Sequence, residues 1–318
     1  MMITITMTRP SRFLTLAVLL LAAAPLSAQH KHRRSQRDED GNRSRVDTTV
    51  TVGRGATVDL SLISGEIKVT SWDRSQVQVR ATSESGDLRF NASPQRVSLG
   101  VEDEEGDGGD TSFEIIVPKD AHVITSSISG DLSVRGVGEV EANTISGELV
   151  VNGVAGRASL QTVSGEIIAS DLGSTVRAQS VSGDITLSGV AGDLDMQTVS
   201  GEMHLRGARS AYVRTQTVSG DLEFEGALDP KGRYEFHSHS GSFTLTLPRG
   251  TGAQVTMRGY SGDLNASCEM TLMPGGPNEG HYKSMTFMLG NGGAHVNIET
   301  FSGDVQIKGC GGSRSKED

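Results

Sequence analysis

A carboxylate follows a Ser-Gly pair again and again along this chain. The chemistry of these carboxylates depends on how they stack. Carboxylates about 5 Å apart repel by about 1 kcal/mol per neighbour in water. Solvent, turn N–H groups or a divalent cation must therefore offset the charge. The position is held by Asp131, Glu148, Glu166, Asp184, Glu202, Asp221, Asp263 and Asp304.

One interpretation of this column is a calcium-dependent β-roll, in which Asp184, Glu202 and Asp221 would be the candidate ligands. Such proteins use a glycine-rich nonapeptide with an Asp that chelates between coils. Here the glycine pair is missing and Glu interchanges with Asp, which a fixed coordination geometry resists. The sequence therefore favours a solvated or hydrogen-bonded corner, and no metal site or cofactor is predicted.

The second chemical interpretation is a polysaccharide-active β-helix enzyme. Such an enzyme places a few carboxylates, with Arg or Lys, at one patch of one face. In this chain the carboxylates belong to every repeat, so they mark the repeat geometry and no one patch. We therefore predict no catalytic residue and no enzymatic activity.

Histidine and cysteine supply the remaining candidate chemistry. His237 and His239 have a spacing that suits metal ligands on a strand, but they have no nearby Cys and no obvious third ligand, so packing is favoured. Cys268 and Cys310 are the two cysteines, and export would permit a disulfide. They can pair if the last step between repeats is one coil plus a hairpin, and are too far apart if it is two coils.

A short repeat positions all of these side chains. The motif reads Ile/Val-Ser-Gly-Asp/Glu in most copies, and the first copy occupies residues 63–66. A fixed short period indicates a solenoid, and glycine at each corner can adopt positive φ without a Cβ clash. The later motif glycines that we assign to structural turns are Gly130, Gly147, Gly165, Gly183, Gly201, Gly220, Gly262 and Gly303. The copy at 239–242 contains a further motif glycine, Gly241.

Each repeat divides into two strand–turn halves. After the motif glycine, apolar residues alternate with polar ones, as in Ile185-Thr186-Leu187, which is typical of a strand with one buried face. Four residues before the glycine lies an amide in five successive copies, Asn143, Gln161, Gln179, Gln197 and Gln216, and stacked amides about 4.8 Å apart can form a ladder. We therefore predict an all-β, single-chain parallel β-solenoid of about 18 residues per coil, right-handed by the general preference for such connections.

The two ends of the chain differ from the repeats. Residues 1–28 resemble a signal peptide, with basic Arg9 and Arg12 before a short apolar run, and residues 29–45 are interpreted as a disordered basic tether. The solenoid should cover 46–309. Within it, 46–118 is irregular, and 119–309 is regular with a hairpin near 268–288. Residues 310–318 are predicted to be a disordered tail.

Composition restricts the function. The formal net charge is −10, which argues against nucleic-acid binding because phosphate contacts need clustered Lys and Arg. No second apolar run of spanning length follows the signal segment, so no transmembrane span is expected after cleavage. Glycine is abundant (40 residues) and aromatic residues make up only 4%, which suits a thin core of Val, Ile, Leu and Ala.

Four segments resemble the bacterial putative-adhesin family: SGEIKVTSWDRSQVQVRA, IIVPKDAHVITSSISGD, the repeated T-[V/I]-S-G-[D/E] and GNGGAHVNIETFSGDVQIKG. The resemblance covers about residues 46–309 and implies a β-helix-like fold at the cell envelope, without a catalytic motif. We therefore expect an exported, non-catalytic module for adhesion, binding or envelope scaffolding. Its location would be the periplasm, the cell surface or the medium, and its partner an envelope or surface protein or polysaccharide.

Overall fold

The computed structural model describes residues 33–34, 36–37, 44–84, 86–102, 111–273 and 283–309. These residues form β-strands and no helix, as the alternating sequence predicts. Accordingly, these ranges contain no helix that is long and apolar enough to cross a membrane. The signal segment and the tail after residue 309 lie outside the described residues.

The strands of the N-terminal part are β1 (Arg33–Arg34), β2 (Gln36–Arg37), β3 (Ser44–Thr51), β4 (Thr57–Trp72), β5 (Gln76–Ser83), β6 (Asp87–Ala92), β7 (Arg96–Glu102), β8 (Thr111–Pro118) and β9 (His122–Arg135). They vary in length from 2 residues in β1 and β2 to 16 residues in β4.

The repeats supply short strands at a nearly constant spacing. They are β10 (Glu139–Thr144), β11 (Leu149–Val154), β12 (Ala158–Gln161), β13 (Ile167–Leu172), β14 (Val176–Gln179), β15 (Ile185–Ser188), β16 (Leu194–Gln197), β17 (Met203–Arg206), β18 (Tyr212–Thr217), β19 (Leu222–Glu225), β20 (Arg233–Ser238) and β21 (Phe243–Thr246). The C-terminal part contains β22 (Ala253–Ser261), β23 (Leu264–Ala266), β24 (Met270–Leu272), β25 (Lys283–Leu289), β26 (Ala294–Ser302) and β27 (Val305–Lys308).

Parallel pairing between strands one repeat apart builds the central part. Even-numbered strands from β10 to β20 pair in one column, and odd-numbered strands from β11 to β21 pair in the other. Ile167 aligns with Ile185, and Ala178 aligns with Met196, each 18 residues later. Each coil thus consists of two strands, as the two halves of the repeat predict.

The core is a continuous stack of the inward side chains of both columns. Ile185 and Leu187 of β15 are fully buried, whereas Thr186 between them is half-buried and faces outward. The core is mostly aliphatic, and each buried Val, Leu or Ile contributes about 1.5–3 kcal/mol of transfer free energy. Aromatic rings enter where the coils lengthen: Phe224 and Tyr234 pack edge to face with ring centroids 5.9 Å apart.

The N-terminal coils do not stack in chain order. Strand β4 lies between β9 on one side and β7 and β8 on the other, with all three pairings parallel. Antiparallel strands β6, β5 and β3 then continue the sheet outward from β7 and β8. Strands β1 and β2 pair with β6 and β3, so part of the segment predicted to be a disordered tether belongs to the sheet.

The C-terminal coils are also out of chain order. Strand β26 pairs with β20 and with β22, and β27 pairs with both β21 and β23. The last coil therefore occupies a gap between two earlier ones, which neither interpretation of the last step foresaw. The predicted hairpin corresponds to the antiparallel pair β24 and β25. Strand β25 also pairs antiparallel with β22.

Candidate functional site

The motif glycines hold adjacent coils in close contact. A Cβ placed on Gly183 would lie 1.8 Å from the carbonyl oxygen of Gly165, and one on Gly201 would lie 2.1 Å from that of Gly183. Positive φ occurs at Gly65, Gly147 and Gly262, but not at the other motif glycines. The expected reason for glycine is therefore wrong at most corners, where close approach between backbones requires it instead. Gly130 also departs from the turn assignment, because it lies inside β9.

At the corners, hydroxyl side chains form hydrogen bonds with the backbone. They lie three residues before the motif glycine and directly before it. The Oγ1 of Thr198 accepts a hydrogen bond from the N–H of Gly201 at 3.1 Å, and Thr217 does the same for Gly220 at 2.8 Å. The hydroxyl of Ser182 donates to the carbonyl oxygen of Val163 in the preceding coil at 3.3 Å. The sequence contained this signal as a recurring Thr or Ser three residues before glycine.

The aspartates of the acidic column bind backbone N–H groups of the adjacent coil. Asp184 Oδ1 accepts from the N–H of Glu202 at 2.8 Å, and Asp221 Oδ1 accepts from the N–H of Ser242 at 2.8 Å. Backbone N–H groups of the turns therefore offset part of the repulsion between these carboxylates. Among the described residues, no three His, Cys, Asp or Glu side chains lie close enough together to hold a metal ion.

One motif position has no role in holding the coils together by its side chain. In seven copies of the motif, the residue two before the glycine is Ile or Val and points outward, with 39–49% of its surface exposed. Val163, Val181 and Val199 lie in bends rather than strands, so β-propensity does not explain their branched side chains. We call this row the aliphatic ridge; its members are Ile63, Ile128, Ile145, Val163, Val181, Val199 and Val218.

Beside the ridge runs a groove of about 520 Å³ along the same corner. Its lining consists of uncharged side chains: the amides, the small hydroxyl residues next to them and the valines of the ridge. We call it the amide groove, after Asn143, Gln161, Gln179, Gln197 and Gln216.

The structure shows one rung of the predicted amide ladder in this groove. Gln179 Nε2 donates to Gln197 Oε1 at 3.2 Å, and Gln197 Nε2 donates to Asp195 Oδ1 at 3.0 Å. Each amide has two N–H donors and two acceptor lone pairs. These bonds use only part of the hydrogen-bonding capacity of Gln179 and Gln197.

The groove continues at the C-terminal end into a wider cavity of about 950 Å³, where charged residues replace the amides. His237 Nδ1 lies 3.1 Å from Glu299 Oε2, and Arg258 Nη1 lies 3.0 Å from Glu299 Oε1. Asn297 Nδ2 also donates to Glu299, at 3.3 Å. Burial raises the pKa of Glu299, but the bond from Asn297 and the charges of His237 and Arg258 outweigh it, so its pKa lies below the ordinary value.

Histidine also replaces the aliphatic residue of the ridge in this coil. The ring of His239 stacks on that of Phe301, with centroids 5.0 Å apart and an angle of 10° between the planes. The ridge therefore ends in an aromatic pair. His237 lies beside Glu299 and His239 stacks on Phe301, so the two rings have different partners and do not converge.

The predicted disulfide involves residues at the same end. Cys268 is partly buried against the core, with its Sγ 4.0 Å from the carbonyl oxygen of Ile307. Cys310 lies outside the described residues, so the pairing stays a prediction.

Comparison with known proteins identifies a family and gives distant structural neighbours. The family model described as Toastrack DUF4097 matches residues 106–308. No curated protein matches the chain significantly.

Three crystal structures show a distant similarity. A "putative adhesin" of Bacteroides fragilis is 11% identical with a TM-score of 0.43, over 83% of this chain and 97% of that one. A "putative lipid binding protein" of Parabacteroides distasonis is 12% identical with a TM-score of 0.47, over 85% and 98%. A "putative cell adhesion protein" of Clostridium sporogenes is 12% identical with a TM-score of 0.20, over 83% and 99%. At these values, none of them indicates what this chain binds.

Proposed function

The chain belongs to the Toastrack DUF4097 family, and from that premise we propose that it is an exported, non-catalytic module that binds a partner of the cell envelope or surface through its aliphatic ridge and amide groove. In this proposal a right-handed parallel solenoid serves as a rigid support. The partner is a protein or a polysaccharide, and not a nucleic acid.

The aliphatic ridge is the observation that carries the proposal. In the copies that carry Asp, the other positions of the motif have structural tasks, since Thr, Ser, Gly and Asp each contact the backbone of their own or the adjacent coil. The ridge position has none, yet it is apolar in coil after coil and 39–49% exposed. A contiguous exposed apolar row costs solubility and marks an interaction surface.

The distribution of carboxylates supports a role without catalysis. A hydrolase needs an acid and a base at one place, with environments that set their pKa values apart. The carboxylates of the motif are instead spread one per coil, and Asp131, Asp184, Asp221 and Asp304 each accept a backbone hydrogen bond.

Binding to immobilised envelope proteins and polysaccharides tests the proposal. We expect wild-type protein to be retained, and Val181→Asp to reduce retention about tenfold or more by placing a charge on the ridge. The matched control is Val150→Asp, because Val150 is a half-buried valine that faces outward from β11, away from the ridge. Equal retention of both variants would overturn the assigned surface, and release of new sugar ends would overturn the non-catalytic role.

A further inference from the structure

We infer that the free edge of β3 pairs with β3 of a second copy of this chain, antiparallel about a twofold axis at Thr49. The axis is perpendicular to the sheet, so the contact joins the N-terminal ends of two solenoids into one continuous sheet. It uses a surface separate from the ridge and the groove and therefore goes beyond the proposed function. The resulting dimer carries two copies of the ridge and of the groove, one on each solenoid.

The outer edge of β3 is open over most of its length. On its inner edge, β3 pairs antiparallel with β5 from Ser44 to Thr51. Among the residues that the structure describes, only β2 pairs with the outer edge, and it does so only at Ser44 and Arg45. Strand β1, which directly precedes β2, pairs with β6 instead. The described part of the segment before β3 therefore leaves the edge from Val46 to Thr51 uncovered.

Three residues direct their backbone groups to this open edge. The N–H of Val52 donates to the carbonyl oxygen of Ser75 at 3.1 Å, directly beyond the last residue pair of β3 and β5. Hydrogen-bonded pairs alternate with other pairs along an antiparallel ladder, so the even-numbered residues of β3 bond to β5. The N–H and C=O groups of Asp47, Thr49 and Thr51 therefore point the opposite way, where another strand can bind them.

Strand β3 lacks the usual devices that prevent edge pairing. Edge strands of soluble proteins are often very short, or carry Lys, Pro or a bulge. Strand β3 has eight residues without Lys or Pro, and five of the six from Val46 to Thr51 are β-branched, which favours strand pairing. At the other end of the solenoid the outermost described strands, β23 and β24, have only three residues each. This contrast indicates that the N-terminal edge is a contact surface.

The sequence of the edge selects one symmetric register. With the axis at Thr49, this threonine faces its own equivalent, and Asp47 faces Thr51 of the second copy. Threonines directly opposite each other form favourable side-chain hydrogen bonds, whereas like charges directly opposite are destabilising. An axis at Asp47 would place two carboxylates opposite each other. An axis at Thr51 would leave only one hydrogen-bonded pair of strand residues, whereas the axis at Thr49 gives three.

The inward face of the edge also fits this register. Val50 packs against the core but stays half-buried, and in the pair it lies opposite Thr48 of the second copy. Such non-hydrogen-bonded neighbours have Cα atoms about 4.5 Å apart, so the two side chains contact each other. Strand β3 of the second copy ends opposite Asp47. It therefore stops before β2, which lies opposite Arg45 and Ser44.

Sedimentation of the full chain, expressed with its own export segment, tests the inference at concentrations up to about 1 mM. We expect a monomer–dimer equilibrium. Thr49→Asp and Thr49→Lys each place like charges opposite each other and should weaken the dimer about fivefold or more. An equimolar mixture of the two variants places opposite charges there and should restore the dimer. The matched control is Thr271→Asp, because Thr271 is an exposed strand threonine at the other end of the solenoid, and it should leave the dimer unchanged.

Thermal melting of each variant confirms that it folds. A wild-type chain that stays monomeric throughout would overturn the inference, and so would a dimer that both charged variants leave unchanged. Val181→Asp lies on the ridge and should not alter the dimer, so the proposed function and this inference can fail separately. A dimer that Val181→Asp weakens and Thr49→Asp does not would place the contact on the ridge and overturn the β3 edge.

Disulfide formation tests the register. Hydrogen-bonded partners on two antiparallel strands have Cα atoms about 5.5 Å apart, which a disulfide can span. The Thr49→Cys protein should therefore form a covalent dimer on mild oxidation, and the Asp47→Cys protein should join the Thr51→Cys protein in a mixture. Wild-type protein is the control for the native cysteines. Covalent dimers of Asp47→Cys alone, with none of Thr49→Cys, would show another register and overturn the axis at Thr49.

Discussion

Gly183 stacks on Gly165 so closely that a methyl group on Gly183 would lie 1.8 Å from the Gly165 carbonyl oxygen. No real Cβ sits that close to an oxygen, so the coil would have to move. The same relationship links Gly201 to Gly183 and Gly220 to Gly201, at 2.1 and 2.0 Å. The coils can therefore lie this close together only because the motif glycines have no side chain. The residues of the adjacent ridge have the same spacing as the coils.

We predict that Gly183→Ala lowers the free energy of unfolding by about 3 kcal/mol, since a packed backbone must shift. The matched control is Gly226→Ala. At Gly226 an added Cβ would come no closer than 3.5 Å to its neighbours, and φ is not positive. The control should be neutral or slightly stabilising because alanine restricts the unfolded chain. Urea unfolding monitored by circular dichroism gives both values, and equal effects would contradict the stacking argument.

The threonines of β18 give a second prediction, in which the same substitution acts in opposite directions two residues apart. Thr217 Oγ1 accepts from the N–H of Gly220, so Thr217→Val should cost about 1–3 kcal/mol by leaving that N–H unpaired. Thr215 is fully buried, and its Oγ1 has no hydrogen-bond partner among the described residues. Thr215→Val should therefore be neutral or stabilising.

Chemical denaturation of the two valine variants decides this prediction. A loss of stability in Thr215→Val as large as that in Thr217→Val would show that valine is simply poorly tolerated in this strand. That result would mean that the hydrogen bond to the Thr217 hydroxyl does not stabilise the corner.

The sequence was sufficient for the local fold because each coil repeats the same physical pattern. Alternation such as Ile185-Thr186-Leu187 fixes which face of a strand is buried, and a constant step of 18 residues fixes which strands can stack. The amide ladder followed from the same register, and Gln179 does bond to Gln197.

The order of the end coils could not be read from these patterns. Strands β4 and β8 alternate equally well, so either could lie next to β9, and only the contacts between coils select one. At the other end, the role of Glu299 follows only from its contacts with His237 and Arg258, which are distant in the sequence. The ridge was visible as a recurring Val or Ile, and it continues the alternation of the preceding strand, since Ser180 is buried and Val181 is exposed. An exposed aliphatic residue at an outward position runs against the expectation that apolar side chains face the core, so the pattern alone did not reveal it.

The aspartates of the acidic column give a third prediction, which concerns metal. Asp184 Oδ1 accepts a backbone hydrogen bond from the adjacent coil, so Asp184→Ala should cost about 1 kcal/mol. Asp184→Asn keeps an acceptor oxygen and removes a repelling charge, and it should unfold at or above the wild-type temperature. Neither calcium nor EDTA should change the melting temperature of the wild type. A calcium-dependent rise that Asp184→Asn abolishes would instead establish a metal site.

The ion cluster at the inserted coil gives the last prediction, which concerns pH. Glu299 has a pKa below its ordinary value of 4.5, so folding favours its ionised form. The resulting stability is complete above pH 4.5 and is lost as the pH falls through the lower, folded-state value. The side chain is 35% exposed, so screening limits the effect to about 1 kcal/mol.

Glu299→Gln should therefore melt below the wild type at pH 7, and the difference should shrink as the pH falls from about 5 to about 3. The control is Glu225→Gln, since Glu225 forms only an exposed ion pair with Arg206 at 3.8 Å. Because Glu299 contacts His237 and Arg258, which lie on two other coils, its loss should also loosen β26 specifically. At pH 7, Glu299→Gln should accelerate hydrogen exchange relative to the wild type more in β26 and β22 than in β14. A difference in melting temperature that stays constant with pH would mean that the carboxylate charge does not hold the inserted coil.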